Sequence, residues 1–261
     1  MKALGIAATG MLAQQTNVDV ISNNIANANT TGFKARRAAF QDLIYENRQR
    51  EGTQTAEGGT ARPTGVDVGL GVQTAGVVRL STQGGLAQTG NQTDLAIDGR
   101  GYFTVMLPDG GQAYTRDGAF QLSAEGQLVT LQGYEIDPGI VVPENTVQLE
   151  VGEDGLVQAF VENDPIPVEI GRLTLTTFVN DSGLRALGDN LLQATEASGD
   201  PLPANPGDPG VGIIRQSFLE NSNVDIVKQI TDLIQAQRAY EMNSKTIETA
   251  DQMLSTANQI K

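Results

Sequence analysis

The sequence predicts an α+β protein: paired terminal α-helices form a coiled-coil-like core domain, and a mainly antiparallel β domain occupies the middle. Three observations carry this. From Ile226 a large apolar side chain returns every seventh position, at Ile226, Leu233, Tyr240, Ile247 and Leu254, which in a helix draws one nearly straight seam. The same step recurs at the other end, in Leu4, Met11, Val18 and Ile25. Between them, residues 66–218 run in short alternating apolar stretches punctuated by turn residues, the pattern of half-buried strands.

Residues 3–28 are expected as the first helix, with Ala7, Ala8, Leu12 and Ile21 on the side of the seven-residue line. Asn17, Asn23 and Asn24 are costly there because their side chains compete with the backbone, so they either fray the helix or find partners across an interface. Asn27, Asn29, Thr30 and Thr31 are poor helix formers leading to Gly32, a residue suited to a left-handed cap, with Phe33 as an apolar anchor beyond it. Lys34, Arg36 and Arg37 read as a solvated face, and Phe40, Leu43 and Ile44 as a further amphipathic run into Tyr45. Residues 46–65 hold no large apolar side chain and, taken alone, form a flexible loop or linker. With no core of its own to join, that segment is expected to order on assembly and bridge neighbouring copies.

In the middle, Tyr102–Leu107 and Ala113–Thr115 flank Pro108-Asp109-Gly110-Gly111 as a hairpin. Phe120 and Leu122 pair with Leu128 and Val129 across Ala124-Glu125-Gly126, and 147–151 pairs with 156–161 across Gly152-Glu153-Asp154-Gly155. Leu173, Leu175, Thr177 and Val179 alternate as one more strand, residues 198–210 form a Pro-rich surface loop, and Ile213–Phe218 is a last strand. Ser222-Asn223-Val224-Asp225 then reads as a capping box that opens a helix over 223–259, roughly 55 Å long at 1.5 Å per residue. So long a rod needs a partner helix. Five large side chains offset little of the backbone order it imposes, so packing between copies competes with the plainer reading, an antiparallel pair closing a monomeric domain. The expected division is 1–32, N-terminal helix of the core domain; 33–65, connecting segment and polar loop; 66–218, β-rich outer domain; 219–261, C-terminal helix of the core domain.

Composition narrows the function. The chain has no cysteine and no histidine, which removes thiol nucleophiles, the usual zinc sites, imidazole bases and the common triads. Of the net charge of −14, residues 61–215 carry −13, residues 1–60 carry +1 and residues 216–261 carry −2. Near-neutral ends suit close packing against copies of the chain, an acidic middle suits a solvated exterior, and nucleic acid is an unsuitable partner. The glycines at Gly69-Leu70-Gly71 and Gly99-Arg100-Gly101 lack the strand and helix that a dinucleotide site requires and read as turns. Asp94 with Asp98, or Glu162 with Asp164, would be the carboxylates of a glycosidase, but such pairs are unavoidable among 31 acidic residues. No catalytic residue, metal site or cofactor is expected, nor any membrane insertion, since no apolar run reaches the eighteen or so residues of a span. Residues 3–13 faintly resemble a signal peptide but continue in helical register, which favours a retained helix.

Ser22-Asn23-Asn24-Ile25-Ala26-Asn27-Ala28-Asn29-Thr30-Thr31-Gly32-Phe33-Lys34 resembles the N-terminal signature of bacterial flagellar rod and hook proteins. At the far end, Ser222-Asn223-Val224-Asp225, Gln237-Arg238-Ala239-Tyr240-Glu241 and Asn243-Ser244-Lys245 through Leu254 are similar to the C-terminal pattern of the same family. Residues 96–103, Tyr114-Thr115-Arg116-Asp117-Gly118 and Gly126–Thr130 agree as well, and length and whole-chain likeness are closest to the distal-rod members. The resemblance implies paired terminal helices packed in the inner tube of a helical homopolymer, with the β domain outside. It implies a rigid, torque-carrying shaft across the periplasm, joined to proximal-rod and hook proteins inside the basal-body rings and exported by the flagellar type III route without a cleaved signal. A hook or proximal-rod subunit would share this chemistry, whereas a wall-cutting glycosidase and a secreted monomeric binding module are the readings from other classes.

Overall fold

The computed structural model describes residues 2–49, 64–162 and 166–259. The described residues of Met1–Ala26, Arg36–Val78 and Asp225–Lys261 form one compact unit, and those of Asn27–Ala35 and Arg79–Val224 form a second.

The first unit is built on α1 (Lys2–Ala26) and α2 (Ile226–Gln259) and includes β1 (Arg36–Asp42), β2 (Tyr45–Gln49), β3 (Val66–Gly69) and β4 (Val72–Arg79). Two contacts fix how the helices run. A side chain on Gly10 would come within 2.9 Å of the Asn243 amide nitrogen, and the Asn24 amide donates to Gln229 Oε1 over 3.0 Å. Fourteen residues forward on α1 are fourteen back on α2, so the pair is antiparallel. The cap of α2 differs from the sequence reading. Asp225 Oδ1 accepts the Lys228 N–H at 3.1 Å and is the N-cap, while the Ser222 hydroxyl accepts from Val224 N in the preceding turn. The helix therefore starts at Ile226, because an aspartate beside the first turn also meets the positive end of the dipole. Strands β1 and β4 pair as one two-stranded ribbon and β2 and β3 as another, so strands occupy 36–42 and 45–49, where the sequence suggested a connecting segment. Residues 50–63 of the polar stretch lie outside the described residues. Gly71, at φ 125°, lets the turn before β4 approach α1, where the Thr9 hydroxyl accepts from Val72 N at 3.4 Å.

The second unit is mainly antiparallel β. It opens with β5 (Leu86–Gln88), β6 (Leu95–Asp98), β7 (Tyr102–Met106) and β8 (Gln112–Thr115). The β7–β8 hairpin forms as expected, with Phe103 opposite Thr115, and so do the pairings of Leu122 with Leu128 and of 146–151 with 156–161. The Pro-rich loop contributes a strand the sequence concealed, Leu202–Ala204, paired with Leu175–Thr177. Strand 213–216 pairs with β6 and Phe218–Glu220 with β5. Phe103, Phe120, Leu128, Ile136, Leu175 and Ile214 are fully buried in one core, with Phe103 and Phe120 edge to face at 5.1 Å. A smaller aromatic cluster joins Tyr102, Tyr114 and Phe178. Strand Thr146–Val151 lies at the end of its three-stranded sheet, and two glutamines seal its open side. Gln92 Oε1 accepts from Leu149 N at 3.1 Å. Gln216 accepts from Val151 N at 3.1 Å and donates to Leu149 O at 2.7 Å.

Candidate assembly surface

In the helical unit most of the helix side chains that are buried are small. Ala7, Ala13, Ala236 and Ala250 are buried, joined by Ile21 and Asn24. The large residues of the seven-residue lines flank them. Leu4, Met11, Val18 and Ile25 on α1 are half-buried, as are Leu233, Ile247 and Leu254 on α2, while Ile226 and Tyr240 each keep 44% of their surface exposed. The two residues of α2 shown in contact with α1, Gln229 and Asn243, lie on a second heptad line with Ala236 and Ala250, offset by three residues from the apolar one. Small residues let two helices approach closely, and polar ones in such a seam fix its register at some cost in stability. The consequence is an uncovered stripe. Val227 is 76% exposed, and Ile230 and Ile234 46% each, at the spacing of one helical face.

Asn24 resolves the question its position raised. It is buried, and its side chain mimics a strand neighbour: Oδ1 accepts from Arg36 N at 2.8 Å and Nδ2 donates to Arg36 O at 2.7 Å, in addition to Gln229. One amide thus joins α1, β1 and α2. Asn23, Asn29, Gln237 and Arg238 are exposed, so the family motif on α2 divides between Asn243, turned to Gly10, and a Gln237–Arg238 pair facing outward.

In the β-rich unit the rest of the N-terminal signature meets the middle of the chain. Asn27 accepts the Thr30 hydroxyl at 3.2 Å, and Phe33 is half-buried. Gly32, at φ 65°, lies past the helix end, in a turn against Arg116 and Asp117, where a Cβ would come within 2.8 Å of backbone. Only glycine meets both demands. The sequence pattern places Lys34 on a solvated face with Arg36 and Arg37, and the structure corrects this: Arg36 and Arg37 are exposed, but Lys34 is buried. Its ammonium donates to Glu220 Oε1 at 2.5 Å and Thr82 O at 2.9 Å. Arg116 Nε lies 3.0 Å from Glu220 Oε2 as an ion pair without hydrogen-bond alignment, and its guanidinium donates to Gly99 O and stands over the Tyr102 ring. Two cations thus enclose one buried carboxylate.

Burial, reinforced by the Arg116 cation, holds the Lys34 ammonium below the ordinary lysine value of 10.5 despite its hydrogen bond to Glu220. The folded chain then loses this proton at lower pH than the unfolded chain does. Between the two pKa values the unfolded state binds more protons, so this group's contribution to stability rises with pH there. In denaturant titrations the stability of the parent relative to Lys34→Met should increase as pH is raised from neutral toward 10.5. A difference independent of pH would contradict the assignment.

The first pair of carboxylates considered for glycoside chemistry has partners within the fold. Asp94 accepts from Asn91 at 3.0 Å and Asp98 pairs with Arg215 at 2.9 Å; Asp164 lies outside the described residues. Among the described residues no cluster of acids is arranged to hold a metal ion, and no helix is long and apolar enough to cross a membrane.

Comparison with known proteins agrees with this anatomy. Residues 4–34 match the family "Flagella basal body rod protein", residues 96–159 the "Flagellar hook protein FlgE/F/G D1 domain", and residues 215–260 the "Flagellar basal body rod FlgEFG protein C-terminal". The chain is 51% identical to flagellar basal-body rod protein FlgG of Caulobacter vibrioides over 261 residues, covering all of both chains. It is 50% identical to the FlgG of Agrobacterium fabrum, over 98% of this chain and 97% of that one. Flagellar basal-body rod protein FlgF of the same Caulobacter is 34% identical, over 98% and 96%. Two rod proteins of one organism thus differ clearly in their likeness, and the first is the nearer. With paired terminal helices, a β-rich middle and family signatures at both ends and in the centre, the chain belongs to the flagellar FlgE/F/G rod and hook family and is a structural subunit of the flagellar basal-body rod.

Proposed function

We propose that this subunit builds the distal rod as a helical homopolymer, with α1 and α2 packed against the helices of neighbouring copies. The observation that carries the reading is the uncovered stripe of Val227, Ile230 and Ile234 beside a seam whose fully buried side chains are mostly alanine. One partner helix covers only part of an apolar face this wide, and the remainder calls for further helices. A heterologous contact repeated without closing yields a tube, whereas a closed ring could not lengthen. Torque is then carried across the periplasm toward the hook. Proximal-rod and hook proteins cap the two ends, the basal-body rings surround the shaft, and export proceeds by the flagellar type III route without a cleaved signal. The acidic middle faces outward in this arrangement.

Electron microscopy of the purified protein tests the polymer, with tubes expected above a critical concentration. Amide exchange tests the dependence on neighbours. In a verified monomer, Lys2–Ala26 should exchange fast, because so thin a seam, with Gly5 and Gly10 in the helix, does not hold α1 alone. Strong protection of that helix in the monomer would mean that the pair is self-sufficient and the assembly reading wrong.

A further inference from the structure

Residues 31–35 and 220–223 are the stretches through which the chain runs toward α1 and α2, and inside the β-rich unit they are tied to each other and to residues 80–84. Gly32 N donates to Glu220 O at 2.8 Å, Asn223 N to Phe33 O at 3.4 Å and Leu80 N to Ala35 O at 2.8 Å. Asn223 completes the tie with its side chain: Oδ1 accepts from Ala35 N at 2.7 Å, and Nδ2 donates to Leu80 O at 3.0 Å and to Thr82 O at 2.9 Å. Lys34 reaches Thr82 O and Glu220, and Glu220 Oε1 accepts from Gly84 N at 2.9 Å. On the outer side the Thr31 hydroxyl donates to Asp117 at 2.8 Å. None of these contacts involves a helical residue.

We propose that these two stretches form a fastening that stays closed in the unassembled subunit, holding the roots of both helical arms together so that α1 and α2 meet as near neighbours when a copy docks. The proposal rests on the helices being the assembly surface. Its physical content is chain closure. With the fastening shut, α1 leaves it within seven residues of Phe33 and α2 within three of Asn223. With it open, and with the β1–β4 ribbon that continues from the Ala35–Leu80 bond released as well, the N-terminal arm is next anchored in the β-rich unit near Leu80, more than fifty residues from Ala26. Lengthening the connecting chain that much lowers the local concentration of one arm about the other by about tenfold.

Two measurements decide it. In hydrogen exchange of the wild-type monomer, the amides of Gly32, Ala35, Leu80 and Asn223 should be protected like those of β7 and β8. If they exchange as fast as the amides of Lys2–Ala26, the fastening is open and the proposal fails, whatever any variant does. Asn223→Ala, which removes the side-chain bonds of Asn223 to Ala35, Leu80 and Thr82, should raise the critical concentration for tube formation by up to about tenfold, and a critical concentration equal to that of wild type overturns the link to assembly. If the wild-type protein forms no tubes at any concentration, the assembly reading is lost, and the exchange result still decides whether the fastening exists.

Discussion

Ile247→Asp abolishes tube formation and motility while the β-rich unit keeps its cooperative melt. Ile247 is half-buried on the flank of the alanine seam, so a carboxylate there is tolerable in a lone subunit and becomes untenable once a neighbouring helix removes its remaining water. Desolvating it without a partner costs about 3–4 kcal/mol unless it protonates, and at ~1.4 kcal/mol per decade that raises the critical concentration by two to three orders of magnitude. Every subunit of a growing tube meets the same penalty. Leu233→Asp should behave alike, whereas Glu248→Gln alters an exposed side chain and should change assembly by about 0–1 kcal/mol. Motility and electron microscopy read assembly, and thermal unfolding of the purified variant reads the β-rich unit. A motile Ile247→Asp strain with normal rods would show that the heptad flank is not where copies meet.

Glu220→Gln destabilises the β-rich unit by about 3–5 kcal/mol, the range expected when one partner of a buried ionic cluster is removed. The glutamine still accepts from Gly84 N, so shape and one hydrogen bond survive. What is lost is the carboxylate that pairs with both the Lys34 ammonium and the Arg116 guanidinium, each of them buried. Lys34→Met is the control. It leaves Arg116 and Glu220 balanced and replaces a desolvated ammonium by an apolar chain of similar length, so its cost should be small or even favourable. Equal losses for the two variants in denaturant titrations would show that packing rather than charge sets the penalty.

The sequence was legible wherever one physical signal was repeated. Heptads located both helices, at 3–28 and 223–259 against the observed Lys2–Ala26 and Ile226–Gln259, and turn residues between alternating runs located the three hairpins. Signals that are single or contradictory misled. Arg36–Asp42 forms β1 although Arg-Arg-Ala-Ala-Phe-Gln-Asp has no two-residue period, because its partner β4 rather than its own pattern holds it extended. Leu202-Pro203-Ala204 pairs with 175–177 despite a proline, which is tolerated on an edge. At the candidate assembly surface the apolar line was evident, but not that polar Gln229 and Asn243 share the seam with alanines, since no hydropathy pattern marks residues chosen for closeness and register. The Lys34–Glu220–Arg116 cluster joins residues as far as 186 positions apart, and a single sequence carries no trace of such a meeting.

The two glutamines on strand Thr146–Val151 gain significance in a protein that polymerises. Near its solubility limit, one pool of monomers can feed two rival aggregates, one nucleated by helices and one by any strand that offers a bare ladder of amides and carbonyls. Gln92 and Gln216 already occupy the donors of Leu149 and Val151 and the acceptor of Leu149, so an incoming strand would first have to displace intramolecular bonds. The competition between ordered shaft and amyloid-like fibre is biased at that edge within each monomer, before a second copy arrives.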